Sequence, residues 1–152
     1  MSIRRTSFTT PGMRALALVG VAIALYDSYA IYTGQTLWCP PPIDGCNIVL
    51  TSPYARIAGV PVGYFGLVYY LCMFALATLL VLARTSRGLR LSVVLGALVG
   101  VGFSIYFMRI QIVYIHAFCI YCLVSALLTV LLLILAVAHY RANRADSQTV
   151  AT

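Results

Sequence analysis

Five cysteines in a chain of 152 residues fall into two pairs and a single one. Cys119-Ile120-Tyr121-Cys122 sets two thiols three residues apart, so on a helix their sulfurs project from nearly the same face and can bond to each other or share a partner. In the first turn of a helix, unpaired N–H groups and the helix dipole favour an anion. That raises the fraction of thiolate, the form that attacks disulfides and electrophiles. Cys39 and Cys46 flank a stretch with Pro40, Pro41, Pro42 and Gly45, which must be an irregular loop. In an oxidising compartment such a pair can exchange with dithiols outside it. Cys72 lies in a long apolar run, where an unpaired cysteine ordinarily behaves as a small hydrophobe.

Static uses of the same cysteines are weaker. A staple within one helical turn closes a tiny loop and stabilises little. A four-cysteine zinc site would hold the loop permanently on the helix end, and no histidine follows Cys122 as a c-type haem attachment would require. The alternative carried forward is a structural or metal-binding membrane protein whose outer cysteines hold the loop shut.

The elements that position these thiols follow from composition. With 62% hydrophobic and 9% charged residues, the chain belongs in a bilayer. A hydrocarbon core about 30 Å thick takes roughly 20 helical residues per crossing. Four stretches qualify: Met13 to Tyr32, Val62 to Ala83, Leu91 to Met108 and Ala117 to Ala138. The predicted architecture is an all-α four-helix membrane bundle, with one catalytic domain over 13–140 between tails at 1–12 and 141–152. Both tails read as frayed. The basic start and small residues of the first span resemble a signal peptide, but its apolar stretch is long for one.

Arginines set the topology. Arg4, Arg5 and Arg14 precede span one, Arg84, Arg87 and Arg90 separate spans two and three, and Arg141 and Arg144 follow span four. Only Arg56 and Arg109 fall in the other two connections, so both termini are expected to be cytoplasmic and both cysteine pairs to face outward across a cell inner or plasma membrane. The net charge of +7 is thereby accounted for at the membrane boundary and forms no stripe for nucleic acid. Beyond the loop prolines, Asn47 to Ala58 suits a short half-helix lying at the interface, ended by a turn at Gly59-Val60-Pro61.

Two electrons leaving a dithiol need an acceptor, and the sequence carries no flavin, nucleotide or metal motif. A lipid-soluble quinone fits. Phe103, Tyr106, Phe107, Tyr114, Phe118 and Tyr121 gather near the outer face, where a quinone ring could stack or where an interfacial aromatic belt would lie.

The order of loop cysteine pair, Ser52, Gly59-Val60-Pro61, Phe65-Gly66 through Tyr70, and Cys119-Ile120-Tyr121-Cys122 resembles the vitamin K epoxide reductase family and its bacterial homologues, over about Met13 to Tyr140. The DsbB family, with similar chemistry, has its Cys-x-x-Cys before the loop pair. The resemblance implies a membrane thiol oxidoreductase that supports disulfide formation. Cys122 would be the quinone-proximal thiolate, forming an adduct with the quinone, and Cys119 would exchange with Cys46. Cys39 would take electrons from a separate thioredoxin-like (DsbA-like) protein outside the cytoplasm. Ser52 would help to hold the half-helix over the site. The acceptor would be a menaquinone, ubiquinone or vitamin K type quinone, with Val62, Phe65, Phe118, Tyr121, Cys122 and Ala126 around it and no metal or flavin. Animal members carry asparagine and tyrosine where Val62 and Ala126 stand, which favours reduction of a respiratory quinone over epoxide reduction.

Asp27, near the outer end of span one, is expected to reach the interface, a proton route being its other use. Arg109 and His116 flank the third connection and are expected to anchor the membrane boundary, as are His139 and Tyr140 on the other side.

Overall fold

The computed structural model describes residues 3–40, 45–82 and 86–149. The long apolar runs fold as α1 (Ile3–Thr33), α3 (Val62–Leu82), α4 (Arg87–Ile110) and α5 (Ile120–Thr149), and a short α2 (Cys46–Thr51) follows the cysteine loop. Among the described residues, four segments are long and apolar enough to cross a membrane: Thr9–Thr33, Val62–Leu82, Arg87–Ile115 and Ile120–Arg144. Helices satisfy their own backbone groups, which the bilayer cannot do for them. Leu71, Leu98, Ile105, Leu127 and Ile134 accordingly point outward on the bundle surface without cost. Cys72 is also exposed there, as a lipid-facing residue of α3.

α1 packs against α3 and α5, α5 against α4, and a thinner seam between α3 and α4 closes the ring. Close packing in a membrane depends on small residues that let large ones enter. Gly20 of α1 takes the ring of Tyr70, and Gly100 of α4 takes the hydroxyl end of Tyr69, each leaving no room for a Cβ. Tyr70 is 1% exposed. Its hydroxyl donates to the Ser125 carbonyl at 3.0 Å and lies 2.7 Å from the Ser125 hydroxyl, which fixes α3 against α5 at mid-depth.

Several helix ends differ from the predicted ones. α1 runs back through Pro11 to Ile3 and α5 on to Thr149, so most of both predicted tails is helical. The α5 extension contains no Gly or Pro to stop it. Arg109 does not end span three. The apolar residues beyond it continue the helix as a π turn over Gln111–Ile115, and His116, at φ 53°, stops it in the left-handed conformation. The connection to α5 is therefore His116 to Cys119 alone. Ala83 and Arg84, placed by sequence at the end of span two and just after it, lie outside the described residues, as do Pro41 and Pro42 of the loop.

The half-helix is shorter than expected because Pro53 forbids the helical conformation to the residue before it. Ser52 is extended, at φ −64° and ψ 151°. A 3₁₀ turn (Pro53–Ala55) follows, then a minimal hairpin of β1 (Arg56–Ile57) and β2 (Val60–Pro61) with Arg56 opposite Pro61 and Ile57 opposite Val60. Ala58 and Gly59 link the strands, both at positive φ, the sign pattern of a type I′ turn.

Two substitutions probe this packing. Gly20→Val is expected to cost about 1–3 kcal/mol by overpacking, and Tyr70→Phe about 1 kcal/mol through its lost hydrogen bond. Both are read from unfolding of the detergent-solubilised protein.

Candidate active site

One end of the bundle brings four cysteines together in an order of graded access. Cys39 is half-buried, Cys46 and Cys119 are 0% exposed, and Cys122 is half-buried. Cys46 and Cys119 share one apolar cluster with Ala30, Leu37 and Val49, and Cys39 and Cys122 pack at its edge. Cys39 and Cys46 form a disulfide, whereas Cys119 and Cys122 are free thiols.

Three local devices hold the loop pair over the dithiol. Gly45 lies on the chain that leads into α5, where a Cβ would come within 2.7 Å of the Phe118 carbonyl oxygen and 2.9 Å of its nitrogen. Asn47 clasps the loop: its Oδ1 accepts from the Leu37 N–H at 2.8 Å and its Nδ2 donates to the Leu37 carbonyl at 3.1 Å. Tyr121, between the two active cysteines, donates its hydroxyl to the Trp38 carbonyl at 2.7 Å and stacks at a tilt on Tyr26. Ser52 acts on the same cap from its other end. Its hydroxyl donates to the Val49 carbonyl at 2.7 Å and closes the last turn of α2.

Cys119 is the cap of α5 rather than a member of its first turn, since the first intrahelical bond runs from the Leu123 N–H to the Cys119 carbonyl at 3.0 Å. Its sulfur lies where a serine or aspartate cap would place an oxygen. The Cys122 thiol donates to it, and the N–H groups of Cys122 and Tyr121 assist. Together they hold the Cys119 thiol below its ordinary value, although burial and Asp27 oppose them. Gln111, 2% exposed in the π turn, braces the pair from α4. Its Oε1 accepts the Cys119 N–H at 3.1 Å, and its side chain also hydrogen-bonds the Cys122 thiol.

Beneath this cap is a cavity of about 510 Å³ between the four long helices, reached by Cys122. Val62, Phe65 and Tyr121, expected around a quinone, line it, whereas Phe118 and Ala126 do not. Phe118 is instead exposed on the outer surface. Of the wider aromatic group, Phe103 and Phe107 join the wall, and Tyr106 and Tyr114 face outward. Asp27 corrects its expected place at the interface. It is 8% exposed and lines the cavity, because Gly63 of α3 lets α1 approach closely at Asp27 and Ser28. Arg109 and His116 are exposed and take no part in the wall. His139 is buried rather than interfacial, with Thr9 Oγ1 3.0 Å from its Nδ1.

Gly45, Asn47 and Gln111 carry functional geometry that the sequence reading did not single out. A signal existed for Gln111 alone: an amide in the apolar run Ile110–Ile115 needs a buried partner. Its replacement by leucine leaves the buried Cys119 N–H without an acceptor, an expected loss of about 1–3 kcal/mol in thermal unfolding. Gly45→Val is expected to lift the half-helix and make buried Cys119 react faster with iodoacetamide, with helix content unchanged by circular dichroism.

The chain matches the vitamin K epoxide reductase family over residues 12–137, a stretch that begins in α1, ends in α5 and contains the disulfide, the dithiol and the cavity wall. The chain belongs to the vitamin K epoxide reductase family and is a multi-pass membrane thiol oxidoreductase of the quinone-using kind.

Proposed function

We propose that the protein oxidises a thioredoxin-like dithiol protein outside the cytoplasm and delivers the two electrons to a membrane quinone bound in the cavity, so that the partner can install disulfides in secreted proteins. The observation that carries this reading is the graded access of the four cysteines, from half-buried Cys39 through buried Cys46 and Cys119 to Cys122 at the cavity. Each neighbour in that order has one thiol-exchange step to perform. The arginine distribution supports the orientation, with both termini cytoplasmic and the cysteines outward.

A partner thiolate attacks Cys39, the accessible sulfur of the loop disulfide, and the partner's second thiol resolves the mixed disulfide. The partner leaves oxidised and Cys39 and Cys46 become a dithiol. Cys46 then attacks Cys119 in a Cys119–Cys122 disulfide, releasing Cys122, and Cys39 attacks Cys46 in the resulting Cys46–Cys119 bond, releasing Cys119. The loop disulfide is restored and Cys119 and Cys122 are reduced. A bonded loop pair beside two free thiols, the pairing found here, corresponds to this stage. The site is dry at the exchange point, which keeps outside thiols from short-circuiting the relay. In the last step Cys119 and Cys122 re-form their bond, and the quinone takes up two electrons and two protons.

The cavity suits such an acceptor. Phe65 and Val68 of α3 and Val99 and Phe103 of α4 line it while also being exposed on the bundle surface, so it opens toward lipid through the thin α3–α4 seam. A ring can bind among apolar and aromatic side chains while its isoprenoid tail leaves through the seam. Apolar Val62 on the wall favours a respiratory quinone over an epoxide needing polar contacts.

Purified protein mixed with a reduced thioredoxin-like dithiol and a short-chain quinone is expected to bleach the quinone absorbance catalytically, and Cys122→Ser to abolish the bleaching. No turnover with several quinones and dithiols, together with bound zinc by metal analysis, would favour the static reading.

A further inference from the structure

Asp27 has a place that neither the thiol relay nor the packing explains. It is the one carboxylate among the described residues of the cavity wall, and no lysine, arginine or histidine shares that wall. Its side chain is 8% exposed, and Oδ1 has no hydrogen-bond partner among the described residues. The adjacent Ser28 hydroxyl is likewise unpartnered, pressed toward Gly63. An uncompensated charge is costly in such surroundings, and a carboxyl avoids it by keeping its proton. Asp27 shares that wall with Tyr121 and Cys122. A polar group left unpaired at this depth, facing a cavity and a reactive dithiol, is aimed at something that enters the cavity.

The chemistry of the last step defines what that is. When Cys119 and Cys122 form their S–S bond, two electrons and two S–H protons leave the sulfurs. A quinone that accepts them must gain one proton on each of its two oxygens, on opposite edges of the ring. Of the two thiols only Cys122 lines the cavity, so at least one proton needs a carrier. The wall hydroxyls of Ser52 and Tyr70 already donate within the protein, and those of Ser104 and Thr129 pair with each other. Tyr69 has an unpartnered hydroxyl, but it is turned toward Gly100 of α4, and a phenol gives up its proton far less readily than a carboxylic acid.

We propose that Asp27 is a catalytic acid of this protein, giving its proton to a carbonyl oxygen of the cavity-bound quinone as the electron pair arrives and regaining a proton released by the Cys119–Cys122 dithiol. The carboxyl is unchanged over the cycle. The net step is two thiols plus quinone to one disulfide plus quinol. The proposal rests on the reading of the cavity as the quinone site and adds the route of the proton.

The test is single-turnover reduction of a short-chain benzoquinone by the dithiol-reduced full-length protein. Asn preserves the size and polarity of the side chain but cannot carry the proton, and Glu restores a carboxyl. D27N is expected to lower the saturating single-turnover rate about 10²-fold, in the range of a lost general acid, and the steady-state kcat with it, with KM changed little and with D27E recovering most of the rate. Transfer of electrons from a soluble dithiol to the loop pair, followed by alkylation of the cysteines, is expected to be unaffected by D27N. A D27N rate within about threefold of wild type, a loss confined to KM, or a D27E as slow as D27N overturns the proposal. Wild-type protein that reduces no quinone overturns the reading of the cavity, and the Asp27 step with it.

Discussion

Gly45 lies against the Phe118 backbone and the Ala117 methyl group with no room for a Cβ between them, and that approach sets where both cysteine pairs are. Gly45 directly precedes Cys46, and Phe118 directly precedes Cys119, so the contact brings the two buried sulfur-bearing residues into one cluster. Any larger residue would part the half-helix from the start of α5. The surrounding interactions act on this contact from different sides. Asn47 ties the half-helix to Leu37 before the disulfide, Tyr121 ties Trp38 to α5, and Ser52 finishes the half-helix so that Pro53 can turn the chain away. None of these is strong singly. Each restrains a different end of the same short segment, and together they hold a loop that its prolines would leave irregular.

The long helices make that contact useful. α5 must begin at the exchange point, because only a helix start supplies free N–H groups to a sulfur. Cys119 therefore serves as both cap and thiol, and its lowered pKa follows from the Cys122 thiol and the N–H groups that face it there. The π turn at the end of α4 then places Gln111 against the Cys119 N–H and the Cys122 thiol. The bundle beneath is joined tightly between α1, α3 and α5 by glycine notches and by Tyr70, and more loosely between α3 and α4. Tight packing on one side and a seam on the other leave a cavity that begins at Cys122 and faces lipid.

Much of this was readable from the chain. Apolar run lengths gave four spans, and the family resemblance, drawn from the loop cysteines, Ser52 and Cys119-Ile120-Tyr121-Cys122, agrees with the family match. Local rules failed where tertiary neighbours decide. A charge at Arg109 suggested a span end, yet a single exposed arginine does not stop a helix whose next residues are apolar. Phe118 is expected near a quinone as one of the aromatics gathered near the outer face, but the chain there is in the closing connection and turns the ring outward. Asp27 was assigned to the interface from its depth alone, which carries no information about which face of α1 it occupies. Gly45 and Asn47 have no pattern of their own. Their roles exist only once residues 37 and 117–118 are beside them.

The proposed relay requires that the sulfurs of Cys46 and Cys119 meet. The most direct measurement is peptide mapping by mass spectrometry of the membrane-embedded C39S/C122S double variant, in which neither loop nor helix pair can form its own disulfide. The account expects a Cys46–Cys119 disulfide in high yield under mild oxidation, abolished by the added G45V substitution. Free thiols at both positions in folded protein, or a cross-link from either to Cys72 instead, would contradict it.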